Sequence, residues 1–154
     1  MNTNKVALVT GANKGIGIEI ARQLGERGFI VLAGSRDADR GAVATKELVA
    51  EGLDVVALPV EVTDPESRMS TVLTLGYNSS KAAVNMVTVM LASELRGTGI
   101  LVNAADPGNC ATDMGGWTAA RTPAQGAAVA VGLATLDADG PTGQVYAEEG
   151  RPPW

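Results

Sequence analysis

Lys5-Val6-Ala7-Leu8-Val9-Thr10-Gly11-Ala12-Asn13-Lys14-Gly15-Ile16-Gly17 decides the fold. Its first six residues are a short apolar run that stops at a glycine, the pattern of a buried parallel strand. A glycine-rich turn follows at 11–17. A helix is expected over residues 16–27, with Ile16, Ile20, Ala21 and Leu24 on one face and Gly28 just past its end. A turn between a strand and a helix offers free backbone N–H groups at the helix N-terminus, and glycines let a pyrophosphate approach them. Gly11, Asn13, Lys14, Gly15, Ile16 and Gly17 are the candidates for that contact. A tight turn with no ligand is the alternative.

Outward from this stretch the pattern repeats. Residues 29–34 read as a second apolar strand. Asp37 or Asp39 can cap a helix over residues 40–51, closed by Gly52, and residues 54–62 read as a third strand. Strand–helix–strand–helix–strand is half of a doubly wound parallel α/β sheet, the Rossmann-like architecture. Residues 77–95 are clearly helical. Tyr77, Lys81, Asn85 and Thr88 form one narrow polar stripe, and the remaining surface is so apolar that burial on more than one side is expected. Residues 100–105 read as a fourth strand. Thr122-Pro123 caps a helix reaching about residue 133, and residues 142–146 read as a last short strand.

Composition bounds the chemistry. The 154 residues suit one domain spanning 1–154, with no histidine, one cysteine and a formal net charge of -5. Without histidine there is no Ser-His-Asp triad and no imidazole ligand, and a single cysteine, Cys110, makes neither an internal disulfide nor a cysteine-based zinc site. No metal site is expected. The acidic balance and the five aromatic residues argue against nucleic acid. No apolar run reaches the length of a membrane span, and the N-terminal residues lack a signal-peptide plan, so a cytoplasmic protein is expected.

Three further signals carry chemistry. Arg36 ends the second strand, nineteen residues after Gly17. An acidic residue there suits a ribose 2′-hydroxyl, whereas arginine suits a 2′-phosphate, with Lys14 as a second cation. Asp37 follows directly and could pair with Arg36 instead, and a solvated surface arginine is the other reading. Tyr77 and Lys81, four residues apart, share a helix face. A nearby cation favours phenolate, which fits a tyrosine exchanging a proton with a ketone or an alcohol. A plain surface pair would have the same spacing. Asp106-Pro107-Gly108-Asn109-Cys110-Ala111-Thr112-Asp113 follows the fourth strand, where ligands sit in open parallel sheets. Pro107 and Gly108 fix a turn, Thr112 can donate to a carboxamide or phosphate, and Cys110 reads as a small packed residue. Trp117 is a candidate lid residue or, equally, a loop residue packed on the core.

Together, residues 10–17, Arg36, Glu61-Val62, 77–81 and 107–112 resemble the short-chain dehydrogenases/reductases, most of all their NADPH-dependent carbonyl reductase branch. The resemblance covers residues 4–67 and 76–154. It implies an oxidoreductase that uses NADP(H) on a small carbonyl or alcohol. Tyr77 would move the proton, Lys81 would hold the ribose, and Glu61 and Val62 would contact the adenine, where the family usually has Asp-Val. Residues 107–112 would line the nicotinamide end.

The chain departs from that family near 67–76. Two strands, a long helix, an Asn-Ala-Gly turn and the catalytic serine are expected between Ser67 and Leu75 and are not recognisable there. Ser70 is the only stand-in for the serine, although it lies closer to Tyr77 than the family's serine does. With two strands lost at ~4.8 Å spacing, the order becomes 3-2-1 followed by the two C-terminal strands, and Tyr77, Lys81 and Pro107 would move about 10 Å toward the glycine turn. Three readings stay open. One is an active oxidoreductase, another is a non-catalytic nucleotide-binding or oligomeric remnant, and the third is an internally deleted form of a longer protein. The apolar helix 77–95 would lack its usual cover, so a homo-oligomer through it is expected.

Overall fold

The computed structural model describes residues 5–60, 74–115 and 117–152, the side chains of 74–76 excepted. Glu61, Val62 and Ser70, assigned from sequence to adenine contact and catalysis, lie outside the described residues.

The first half follows the expected order. β1 (Val6–Thr10), α1 (Gly15–Glu26), β2 (Ile30–Ser35), α2 (Ala38–Ala50) and β3 (Val55–Pro59) alternate along the chain. β1 pairs with β2 from Val6↔Ile30 to Thr10↔Gly34, and β2 pairs with β3 from Val31↔Val55 to Ser35↔Pro59, both parallel. Alternation places Val9, Val31, Ala33 and Val55 on the face that α1 and α2 cover. There they form one core with Ala21, Leu24 and Leu48. Burying a side chain such as Leu48 completely contributes about 2 kcal/mol. Of the two candidate caps, Asp37 does the work: its side chain accepts the Arg40 N–H at 3.0 Å.

The second half contains α3 (Thr74–Glu94), β4 (Ala104–Ala105), α4 (Pro123–Ala134) and β5 (Val145–Tyr146). α4 opens with the expected cap, completed by a reciprocal bond. Thr122 Oγ1 accepts the Gln125 N–H at 3.2 Å, and Gln125 Oε1 accepts the Thr122 N–H at 2.8 Å. β4 and β5 are parallel but shorter than the sequence suggests. Upstream of them, side chains share the pairing with the backbone: the Gly143 N–H donates to the Val102 carbonyl at 2.7 Å, Thr142 Oγ1 accepts the Val102 N–H at 2.9 Å, and Asn103 Oδ1 accepts the Gln144 N–H at 3.2 Å.

The five parallel strands stand as a three-stranded and a two-stranded sheet. The order 3-2-1 and the parallel C-terminal pair are as expected, and no described ladder joins β1 to β4. The halves are held instead through helices, since α4 packs along α1 and Gln23 Nε2 donates to the Ala124 carbonyl at 2.8 Å. Gly126 marks the tightest point of this junction. A β-carbon there would lie 2.4 Å from Cys110 Sγ, 3.3 Å from Pro107 and 3.5 Å from Ile16. A Gly126→Ala variant is expected to lose about 1–3 kcal/mol of stability, or a melting temperature fall of roughly 3–10 °C at this size. Thermal denaturation measures it, and adding Cys110→Ala should restore part of the loss because the two sites share one contact.

α3 departs from its expectation in one respect. Most of its polar stripe turns inward: Thr88 is buried beside Ala92, and Tyr77 and Asn85 are half-buried, whereas Lys81 is exposed. Val84, Met86, Val87 and Met90 are 49%, 53%, 52% and 54% exposed, so burial on more than one side does not occur within one chain. The sheet face that carries Val6, Leu8 and Val56 is open as well. Among the described residues, both of these apolar surfaces stay open.

Candidate active site

The glycine turn is built for close approach. Gly15 has a φ of +59°, which favours glycine, and a β-carbon on Gly17 would lie 2.3 Å from the Gly11 carbonyl oxygen. The Ala12 N–H donates to the Gly34 carbonyl at 2.9 Å, which pins the turn over the end of β2. Among the described residues, no side chain caps the first-turn amides of α1 and no acidic residue of that turn opposes the helix dipole, a fit for a phosphate group.

Two clefts flank this turn. The first, of about 550 Å³, is lined by Ile16, Tyr77, Pro107, Gly108, Cys110 and Thr112 among others. The fold thus brings the turn, the tyrosine and the loop after β4 to one place, although their sequence positions are far apart. Lys81 Nζ lies 5.2 Å from the centre of the Tyr77 ring, so the pair does share a helix face. Asp106 Oδ1 accepts the Gly108 N–H at 2.9 Å and shapes the loop. Thr112 Oγ1 is 3.4 Å from the Cys110 carbonyl and accepts the Gly115 N–H at 3.3 Å, while its methyl group packs toward Gly15. Cys110 is buried, with Sγ 3.3 Å from the Pro107 carbonyl, as a packed residue should be.

The second cleft, of about 360 Å³, is lined by Asn13, Lys14, Asp39, Arg40, Val43 and Ala44. Arg40 is the cation that sequence reasoning missed. Its position in the first turn of α2, three residues after the cap, is the signal that could have found it. Arg36 stands exposed just past β2. Asp37 does not pair with it: that carboxylate caps α2 and lies 3.4 Å from Arg40 Nε. Among the described residues, no carboxylate forms an ion pair with Arg36.

A third feature lies between the clefts. Lys14 Nζ is hydrogen-bonded and ion-paired to Asp113 Oδ2, and the Trp117 indole N–H donates to Asp113 Oδ1 at 3.2 Å. The hydrogen bond and charge of Lys14, and then the indole N–H, hold the Asp113 carboxyl below the usual carboxylate range. Trp117 is the one described non-glycine residue in the left-handed region, with φ +59°, and it is exposed.

Comparison with known proteins decides the ancestry. The family model for short chain dehydrogenase matches residues 5–76 and 66–122. The chain belongs to the short chain dehydrogenase family. It is 57% identical over 47 residues to (-)-isopiperitenone reductase of Mentha piperita, covering 30% of this chain and 15% of that protein. It is 46% identical over 68 residues to carbonyl reductase (NADPH) 1 of Mus musculus, covering 43% of this chain and 24% of that protein. Only that minor part of these curated relatives is matched. The fold is similar to salutaridine reductase from Papaver somniferum, with a TM-score of 0.80 and 18% identity, over 93% of this chain and 99% of that one. A variant of actinorhodin polyketide ketoreductase with NADPH gives a TM-score of 0.79 at 20% identity, over 96% of this chain and 97% of the other. The short chain dehydrogenase fold is therefore present in this chain. Among its described residues, no helix is long and apolar enough to cross a membrane and no cluster of metal-ligating side chains occurs.

Proposed function

We infer that this chain binds NADP(H) and reduces a small carbonyl compound, or oxidises the matching alcohol. The observation that carries the reading is the cleft in which Ile16 of the glycine turn, Tyr77 and the loop of Pro107, Gly108 and Thr112 meet. The uncapped N-terminus of α1 supports pyrophosphate binding across Gly11, Asn13, Gly15, Ile16 and Gly17. Lys14, Arg36 and Arg40 are the cations for a 2′-phosphate. Named relatives that use NADPH support the same choice of cofactor.

When bound, the cofactor supplies or accepts the hydride. The chain's own groups manage the rest. In the reducing direction the Tyr77 hydroxyl gives its proton to the carbonyl oxygen as negative charge develops there. Lys81, on the same face, would hold the ribose. Pro107, Gly108 and Thr112 would wall the nicotinamide end and orient it. The test is a panel of ketones and aldehydes with NADPH, following cofactor consumption. Turnover is the expected result. Tight NADPH binding with no turnover would favour a nucleotide-binding remnant.

That second reading has one observation in its favour. The two family-model matches overlap at residues 66–76, where the sequence lacks the segment that should supply the catalytic serine, and no described ladder joins β1 to β4. The same shortening supports self-association through residues 77–95, whose apolar flank is half exposed. Sedimentation at tens of micromolar, the range of weak dimers, is expected to show a dimer or larger species. Met90→Glu should shift it to monomer by placing a charge at the contact. A monomeric parent protein would remove this part of the account.

A further inference from the structure

We propose that Asp113 is a specificity-determining residue that acts through Lys14: it is an internal counter-ion that the cofactor's 2′-phosphate must displace, and its displacement releases the Trp117 loop. The inference rests on the NADP(H) reading above and adds a residue and a coupling to it.

The argument begins with position. Lys14 lines the second cleft, beside Arg40 and Asn13. Asp113 lies between Thr112 and Met114, which line the first cleft. A dinucleotide that occupies both clefts passes the Lys14–Asp113 pair. Next comes charge. A lysine ammonium has three donors and one positive charge, and a carboxylate and a phosphate compete for both. The pair is open to water, with side-chain exposures of 65% and 56%. Exposed pairs are weak, so a phosphate dianion that also meets Arg40 in this cleft can displace the carboxylate.

The loop supplies the second half. Among the described residues, Asp113 Oδ2 is held by Lys14 and Oδ1 by the Trp117 indole. Trp117 is held at φ +59°, a conformation a bulky residue leaves when its restraints are removed. The Trp117 N–H also donates to the Thr112 carbonyl at 3.2 Å, so the turn is closed within the loop itself. When Lys14 turns to the phosphate, Asp113 loses the partner that anchors this turn to the glycine loop. The loop that borders the first cleft is then free to rearrange around the nicotinamide end. A nucleotide without the 2′-phosphate does not make the exchange.

The test uses adenosine 2′,5′-bisphosphate and its partner lacking the 2′-phosphate, adenosine 5′-monophosphate. Calorimetry compares the parent protein with Asp113→Asn. The variant is expected to bind the bisphosphate about threefold tighter and the monophosphate unchanged. In a Lys14→Met background the same replacement should have no effect, because the competitor then has nothing to compete for. A Trp154→Phe version leaves Trp117 as the sole reporter of the two tryptophans. Its emission should shift with the bisphosphate and not with the monophosphate, and Asp113→Asn should begin at the shifted value. Bisphosphate binding by the parent with no gain in Asp113→Asn, or with silent Trp117 emission, overturns the proposal and leaves the cofactor reading standing. Failure of both proteins to bind either nucleotide overturns both.

Discussion

A Tyr77→Phe variant is expected to lose about 10²–10⁴-fold in NADPH-dependent carbonyl reduction, the usual contribution of a positioned acid or base, while its affinity for NADPH stays within about twofold. The phenyl ring keeps the contact that Tyr77 makes with the cleft wall, and only the hydroxyl is lost. Lys81 lies over the face of that ring at 5.2 Å, and its charge survives the change. The variant therefore separates proton transfer from binding. Single-turnover measurement at saturating NADPH reads the chemical step directly. Equal rates in parent and variant would mean that Tyr77 lines the cleft without acting in it.

The second large effect concerns Arg36. Its replacement by alanine is expected to weaken NADPH binding by roughly 10- to 100-fold, as for one charge-assisted hydrogen bond. NADH binding should be unaffected. The structural basis is the use made of Asp37. That carboxylate caps α2 and turns to Arg40, so its charge is not committed to Arg36. Arg40→Ala should show a smaller loss of the same sign, since its guanidinium already has a carboxylate at 3.4 Å. Calorimetric titration of each variant with both cofactors checks the order. A loss of equal size for NADH would move Arg36 from phosphate recognition to a general structural role.

The legibility of this chain in its sequence differs sharply between its halves. Local signals specify the first half: an apolar run, a glycine turn, a cap at Asp37 and a glycine after each helix. Each is readable within ten residues, and the 3-2-1 order follows from the hand of parallel crossovers. The capping box of Thr122 and Gln125 is equally local. What was not legible depends on distance. The brevity of β4 goes with Thr142 and Asn103, whose side chains share the pairing with backbone some forty residues away in sequence. Arg40 required the cleft to be seen. The Lys14–Asp113 bond joins residues 99 apart, and no spacing rule connects them. No described ladder joins β1 to β4, and the junction of the two halves is also a long-range matter: it runs through α1 and α4, at Gln23 and Gly126. The same helix contact sets where Pro107 and Cys110 stand relative to Ile16, and with them the shape of the cleft.

The polar stripe of α3 shows how a correct pattern can carry a wrong inference. The sequence puts Tyr77, Lys81, Asn85 and Thr88 in one narrow polar stripe on a helix buried on more than one side. Tyr77, Asn85 and Thr88 face inward, Lys81 is exposed, and the apolar flank of Val84, Met86, Val87 and Met90 faces out. In a complete layered sheet both sides would be covered. Among the described residues that flank stays open.

The account stands on the claim that the shortened sheet still builds a site for NADP(H). Calorimetric titration of the folded parent protein with NADPH and then NADH tests it most directly. The account predicts micromolar NADPH binding with clearly weaker NADH binding. A protein that melts cooperatively yet takes up neither cofactor would contradict it, leaving the glycine turn and the Tyr77 cleft as inherited shape without a ligand.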